Sequence, residues 1–187
     1  MLSDATLLTR LQTGDEASFE ALFLRHYERI YEALFRLLGD RDEAEDIAQQ
    51  VFLKLYHAPE RIQVEGDETN LVGWLYRVAL NAGYNALRSS RRRATWHEQF
   101  FLQWLSNSPP ATPAHLTERR NEQAQVRQIL VEMKPREAKL LLLRYSGLSY
   151  KELASALEVA PGSIGSLLTR AERAFAKKYR RAFPDEP

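Results

Sequence analysis

The sequence predicts an all-α chain made of two small helical domains joined by a linker. Three observations carry this reading. Apolar residues recur at three- and four-residue intervals along most of the chain, the spacing of one helical face. No stretch alternates apolar and polar residues with a period of two, so no sheet is expected. Between the helical stretches lies a run from Ser106 to Leu116 that holds Pro109, Pro110 and Pro113, which remove backbone donors and force extended backbone. The expected boundaries are 1–93 for the first domain, 94–117 for the linker and 118–187 for the second, within the one or two domains that 187 residues allow.

In the first domain, apolar residues at 19, 22, 23, 27, 30, 31, 34 and 38 mark one long helix. Asp15 and Glu16 suit its positive N-terminal end, and Gly39-Asp40 stops it. A second stripe, Ala44, Ile47, Ala48, Val51, Phe52 and Leu55, ends at Pro59. Residues 58–70 hold Pro59, Gly66 and several charges, and read as a loop. Asn70 is placed to cap a third helix, with Leu71, Leu75, Val78, Ala79 and Ala82 on one side, running to the Arg run near 93. Before the prolines stand Trp96, Phe100, Phe101, Leu102, Trp104 and Leu105, a segment too apolar for a bare linker. It is expected either to dock as a short helix on one domain or to be covered by a partner.

In the second domain, 118–133 is amphipathic through Ala124, Val126, Leu130 and Met133. Pro135 opens the next helix, which ends at Gly147. Ser149-Tyr150-Lys151-Glu152 is a Ser-x-x-Glu capping box, and it starts a short helix with Leu153, Ala154 and Leu157 on its apolar side. Glu158-Val159-Ala160 turns the chain, and Pro161 starts the last helix, with Ile164, Leu167, Leu168, Ala171 and Phe175 inward. Residues 149–174 thus have the shape of a helix-turn-helix, although two packed helices of a bundle can imitate it. The spacing leaves Ser163, Ser166, Thr169, Arg170 and Arg173 outward. In such a motif the start of the second helix enters the major groove, where hydroxyls meet base edges. Arg170, Arg173, Lys177, Lys178, Arg180 and Arg181 are available for phosphates; neutralising about six would give a log–log salt slope of roughly −5.

Composition narrows the function. Hydrophobic residues at 44% and charged residues at 27% argue against a disordered chain. The absence of cysteine excludes a disulfide scaffold, a thiolate metal site and a thiol nucleophile. No apolar run is long enough to span a membrane and the start of the chain lacks a secretory pattern, so the expected compartment is the cytoplasm. The histidines His26, His57, His97 and His115 are scattered without ligand spacing and read as surface or interface residues. With no catalytic constellation and no glycine-rich phosphate loop, no enzyme, metal or cofactor is expected.

The formal net charge of +1 is a cancellation: 1–93 carries −3, 94–116 carries −1 and 117–187 carries +5. Asp40, Asp42, Glu43, Glu45 and Asp46 form an acidic cluster, and Arg88, Arg91, Arg92 and Arg93 a basic one. On the third helix Arg77, Asn81, Asn85 and Arg88 share a face. Such a stripe is costly to bury and suits bases and phosphates. Its aromatic neighbours are candidates to stack on unpaired bases; the alternative is that Trp74 and Tyr76 are core and the stripe is solvated, and Trp74 is read as core.

These residues resemble a family. Asp42-Glu43-Ala44-Glu45-Asp46-Ile47-Ala48-Gln49-Gln50-Val51-Phe52-Leu53 and Trp74-Leu75-Tyr76-Arg77-Val78-Ala79-Leu80-Asn81 resemble the second conserved region of bacterial sigma-70 factors. Leu148-Ser149-Tyr150-Lys151-Glu152-Leu153-Ala154 and Gly162-Ser163-Ile164-Gly165-Ser166-Leu167-Leu168-Thr169-Arg170-Ala171 resemble the fourth. A chain with only these two regions, in this order, is similar to the extracytoplasmic-function (ECF) group. The resemblance implies that Asp42, Glu45, Asp46, Gln49 and Leu53 dock on core RNA polymerase. It implies that the loop 60–70 and Arg77, Asn81, Asn85, Arg88 and Arg91–Arg93 capture the −10 promoter element. Ser163, Ser166, Thr169, Arg170, Arg173 and Lys177 would then read the −35 element. It also implies an anti-sigma partner, a monomer when free, and no covalent chemistry from the chain.

The chain departs from the family pattern at Gln50, where Glu is usual, at Gly165, where a basic residue is common, and at Leu167, where Arg is common. A conventional dimeric helix-turn-helix regulator, and a sigma-like module that binds polymerase or an anti-sigma factor without initiating, are the competing expectations.

Overall fold

The computed structural model describes residues 2–66, 68–101 and 117–184, and the side chains of these outside 68 and 90–121. Among the described residues the chain forms eight α-helices and one very small hairpin. In chain order these are α1 (Asp4–Gln12), α2 (Glu16–Leu38), α3 (Arg41–His57), β1 (Val64–Glu65), β2 (Glu68–Thr69), α4 (Leu71–Phe101), α5 (Thr117–Glu132), α6 (Pro135–Tyr145), α7 (Tyr150–Leu157) and α8 (Ile164–Ala182). The stretch 102–116, with Leu102, Trp104, Leu105 and the prolines, lies outside the described residues. The side chains of Trp96, Phe100 and Phe101 do too.

Local chemistry sets the helix ends where the spacing predicts them. Asp15 caps α2 by accepting from Ala17 N at 3.1 Å, and Gly39 closes it in the left-handed region at φ 76°. Asp40 then caps α3, accepting from Glu43 N at 2.9 Å. Pro135 opens α6, and Gly147 follows it at φ 84°. Such caps satisfy the orphan groups of a helix terminus and contribute roughly 1 kcal/mol each.

Several expectations need correction. α1 was not foreseen: Ser3 caps it, and Ala5, Leu7, Leu8 and Leu11 bury one face against α2. The 58–70 loop holds a 3-10 turn, Pro59–Arg61, and a hairpin turned by Gly66 at φ 59°. Two-residue strands are too short to show a period of two, so the pattern could not reveal them. Asn70 does stand at the cap position of α4, since its carbonyl accepts from Trp74 N at 2.9 Å. Its side-chain oxygen accepts from Ser155 Oγ, however, and Leu71 N donates to Thr69 Oγ1 at 3.2 Å. α4 continues beyond the Arg run because Ala94–Phe101 contains no breaker. In α5 the buried residues are Ile129 and Leu130, with Met133 just beyond, while Ala124 and Val126 are exposed. Pro161 starts a 3-10 turn, Pro161–Ser163, ahead of α8.

His26 is also corrected. It is 6% exposed on α2, and its Nε2 lies 2.8 Å from Asp4 Oδ2, while Arg25 pairs with Oδ1 of the same carboxylate. Burial raises the Asp4 pKa, but the bonds and charges of His26 and Arg25 outweigh it and hold the carboxyl below its ordinary value.

The core is one continuous cluster that runs through both halves of the chain. Leu22, Ile30, Leu34, Phe52 and Leu55 centre the first half, and Ile129, Leu140, Leu143, Leu153 and Ile164 the second. Each such side chain contributes roughly 1.5–3 kcal/mol by leaving water. α4 joins the halves, packing on α2 and α3 with one side and on α7 with the other. Two glycines permit this. A Cβ at Gly83 would lie 2.9 Å from Leu37 Cδ2 of α2, and one at Gly73 would lie 2.5 Å from Ser155 Oγ of α7. Hence α4 is buried nearly all round at its start: Leu71, Trp74, Leu75, Tyr76, Ala79 and Leu80 are all inside.

Candidate protein and nucleic-acid interfaces

The acidic stripe is an exposed surface. On α3 the positions 42, 45, 46, 49 and 53 fall on one side, and Asp42, Glu45, Asp46, Gln49 and Leu53 all face solvent. Gln49 Nε2 donates to Glu45 Oε1 at 3.3 Å, which steadies the stripe without covering it. Asp42 stands in the first turn, where the helix dipole favours a carboxylate. Leu53 is 53% exposed at the end of this charged run. An apolar anchor rimmed by charge is the pattern of a protein-binding surface. Gln50, at the departure from the family pattern, is exposed beside it.

The basic stripe on α4 is divided. Asn81, Asn85 and Arg88 are exposed and Arg77 is partly so. Arg77 pairs with Glu158 at the end of α7, and Lys139 Nζ of α6 donates to Asn81 Oδ1. Arg91, Arg92 and Arg93 are in α4, but their side chains lie outside the described residues. Tyr76 and Tyr84 are buried, at 1% and 5% exposure, and cannot stack on bases in this arrangement. Burial pushes both phenols above their ordinary pKa. Trp74 is core, with one edge on a groove.

That groove was not foreseen. It runs between the C-terminal half of α3 and α4, encloses about 740 Å³, and is lined by Gln50, Leu53, Lys54, His57, Ala58, Arg61, Trp74, Val78, Asn81, Ala82 and Asn85. Lys54, His57 and Arg61 bring donors opposite the amides of Asn81 and Asn85, and Arg61 comes from the 60–70 loop. The wall of a strand-width channel needs this mixture: an aromatic edge, amides for base edges and cations for phosphates. The available signal was the spacing of Lys54, His57 and Arg61, which places these donors at the exit of α3 toward the loop.

The second domain carries its stripe in the open. The capping box is complete: Glu152 N donates to Ser149 Oγ at 3.3 Å, and Ser149 N donates to Glu152 Oε2 at 2.7 Å. Ala154 is buried at the crossing, Val159 packs against the core at the turn, and Ile164, Leu168 and Ala171 face inward from α8. Glu158 makes the turn with φ 54°, a left-handed conformation uncommon outside glycine. On the opposite side Ser166, Thr169, Arg170, Arg173 and Lys177 are exposed, and Ser163 is partly so. The hydroxyls of Ser163, Ser166 and Thr169 donate to Ala160 O, Ser163 O and Gly165 O at 2.7, 2.9 and 3.1 Å. Hydroxyl rotors held only by backbone oxygens are free to turn toward a base edge. Leu167 is partly buried and packs on the core, whereas a Cβ at Gly165 meets nothing within 4 Å.

Among the described residues no helix is long and apolar enough to cross a membrane.

Comparison with known proteins converges on one family. Residues 22–93 match sigma-70 region 2, and residues 123–175 match sigma-70 region 4. The chain is 30% identical over 182 residues to the RNA polymerase sigma-H factor of Pseudomonas aeruginosa, covering 93% of this chain and 92% of that one. It is 27% identical over 186 residues to the ECF RNA polymerase sigma-E factor of Escherichia coli, covering 96% and 95%. Among solved structures it resembles CnrH in complex with the cytosolic domain of CnrY, with a TM-score of 0.68, 18% identity, and coverage of 98% of this chain and 99% of that chain. It also resembles the sigma factor RpoE from Bartonella quintana, solved with the anti-sigma factor NepR, with a TM-score of 0.53, 19% identity, and coverage of 90% and 98%.

Proposed function

The chain belongs to the sigma-70 family of RNA polymerase sigma factors, in its ECF group, and we propose that it directs transcription initiation by dividing promoter recognition between α4 and α8. The observation that carries the division is the separation of surfaces by charge and chemistry. The acidic stripe of α3 with Leu53 faces a protein, and the Arg-rich stripes of α4 and α8 face DNA.

In this reading Asp42, Glu45, Asp46, Gln49 and Leu53 dock on core polymerase. The groove between α3 and α4 receives the opened −10 strand, with Arg77, Asn81, Asn85 and Arg88 on its α4 side. Opening a few base pairs costs on the order of a few kcal/mol, offset by unpaired bases held in the groove and by contacts from polymerase. α8 enters the major groove at −35 with Ser163, Ser166 and Thr169 toward bases and Arg170, Arg173 and Lys177 toward phosphates. The domain limits are 1–93 and 118–187, with the linker between. Nothing in this role asks for covalent chemistry, so the chain is not an enzyme and needs no cofactor. It works in the cytoplasm, is monomeric when free, and is held in reserve by an anti-sigma factor.

The experiment is transcription in vitro from genomic DNA with core polymerase and this protein, followed by sequencing of transcript 5′ ends. Starts that share upstream elements are expected. Folded protein that yields no promoter-specific start, or that elutes as a dimer and binds palindromic duplex without polymerase, would overturn the reading.

A further inference from the structure

The 58–70 segment carries Arg61 to the wall of the groove between α3 and α4, yet it holds itself together weakly. Its two strands have two residues each, too few to stand alone in water. Within the turn, Arg61 N donates to Ala58 O and Ile62 N to Pro59 O, both at 3.2 Å, the long end of the usual range. The firmer holds come from outside. The Ile62 side chain is buried in the core. The side-chain amide of Gln12, the last residue of α1, donates to Pro59 O at 3.0 Å and to Ile62 O at 3.1 Å. One NH2 group thus places its two protons on the two ends of a single turn, with Glu60 and Arg61 between them.

α1 is built to be the fixed end of this contact. Its apolar face, Leu7, Leu8 and Leu11, is buried, and it packs on α2 and on both strands of the hairpin. At its start the Asp4 carboxylate is held by Arg25 and His26 of α2. From Asp4 to Gln12 the helix rises about 12 Å, with one end tied to α2 and the other to the turn. Gln12 itself is exposed, and it is not among the residues that line the groove. A side chain kept for its bulk would be inside the core. An exposed side chain whose amide reaches two distant carbonyls acts through its donors.

We propose that Gln12 is a positioning residue for strand selection: its two donated hydrogen bonds fix the 59–62 turn, and with it Arg61, against the groove between α3 and α4. The inference deepens the assignment of that groove to the −10 strand and rests on it. A group that meets a base or a phosphate has to be held to roughly 0.5 Å by its neighbours. A short turn beside a two-residue hairpin does not supply that hold by itself. α1 supplies it from outside the groove. Base preference at the −10 element is therefore set in part by a residue that does not touch the strand.

Gln12→Met keeps the length of the side chain and removes both donors without adding charge. Gln12→Lys replaces them with ammonium donors of similar reach. Hydrogen exchange followed by NMR on the free protein reads the turn at the Arg61 and Ile62 amides, with the Leu8 and Leu11 amides of α1 as internal controls. Transcription with core polymerase reads selection, on a library built from a promoter that the wild type uses, with the element nearer the start randomised. In Gln12→Met, exchange at Arg61 and Ile62 is expected to quicken about fivefold while Leu8 and Leu11 stay as they are. Preference among the nearer elements is expected to flatten about fivefold, with dependence on the farther element unchanged. Gln12→Lys is expected to recover most of both losses. Unchanged exchange at Arg61 and Ile62 or unchanged selection in Gln12→Met, or a Gln12→Lys protein as impaired as Gln12→Met, overturns the proposal. The exchange measurement needs no polymerase, so wild-type protein that fails to initiate would overturn the sigma reading while leaving the hold of Gln12 on the turn to be judged by exchange.

Discussion

α4 and α8 carry stripes of the same kind, arginine and small polar side chains on one helical face, yet they stand in opposite states. On α8 the exposed stripe of Ser166, Thr169, Arg170, Arg173 and Lys177 lies opposite the inward face of Ile164, Leu168 and Ala171. α4 is flanked on two sides: Arg77 and Asn81 are tied to Glu158 and Lys139, although Asn81, like Asn85 and Arg88, keeps an exposed side chain. In the proposed reading the difference follows from duty. A duplex-reading helix needs one apolar side and one polar side. In the same reading, a helix that takes hold of single-stranded bases is packed on two sides and offers them only the strip between. A stripe of polar residues therefore does not by itself say whether a surface is open.

The largest expected effect breaks the comparison at α8. Ile164→Ala removes a fully buried side chain beneath the recognition helix, and chemical denaturation should show a loss of about 2–5 kcal/mol in the second domain. Docking of polymerase through α3 should survive, which a polymerase pull-down checks. Next, Arg77→Ala should act in two ways. With polymerase, initiation should fall roughly tenfold to a hundredfold, the cost of about 1–3 kcal/mol for a lost base or strand contact. Without polymerase, the second domain should be held slightly less firmly on α4, read as a small drop in melting temperature, because Glu158 loses its partner. Arg170→Ala with Arg173→Ala should weaken promoter binding by the polymerase complex at all sequences and lower the salt slope by about 2, measured by filter binding across a salt series.

Smaller effects sharpen the contrast. Gly165→Lys meets no neighbour and should stabilise α8 by up to about 1 kcal/mol while strengthening duplex binding, read by thermal melting and by gel shift. Asp4 provides a pH test within the first domain alone. Its folded pKa is lowered, so its contribution is fully present above the unfolded carboxylate value and is lost as pH falls through the folded one. Melting of the wild type should drop faster below about pH 4 than melting of Asp4→Asn, whose contribution no longer titrates.

The helices of both domains were legible because their apolar spacing and their caps agree: Asp15 with Gly39, Pro135 with Gly147, and Ser149 with Glu152. α1 escaped because its apolar face is short, although Ser3 as a cap before Ala5, Leu7, Leu8 and Leu11 was a usable sign. The exposed stripe on α8 was readable from spacing alone. The engaged half of α4 was not, because salt bridges between residues as distant as Arg77 and Glu158 leave no local pattern. A clue was present in Gly73, Tyr76, Leu80 and Tyr84, which add a second run of uncharged positions to α4. The groove donors Lys54, His57 and Arg61 escaped for the same reason, since their significance appears only when α3 and α4 are side by side.

The most direct test of promoter recognition divided between α4 and α8 is transcript 5′-end sequencing with core polymerase loaded with wild-type protein or with Arg77→Ala or Arg170→Ala. The wild type should yield starts that share two upstream elements at fixed spacing. Arg77→Ala should relax selection only at the element nearer the start, and Arg170→Ala, which removes a phosphate contact, should lower the yield of starts without relaxing selection at either element. Loss of selection at both elements in either variant, or no shared element in the wild type, would contradict it.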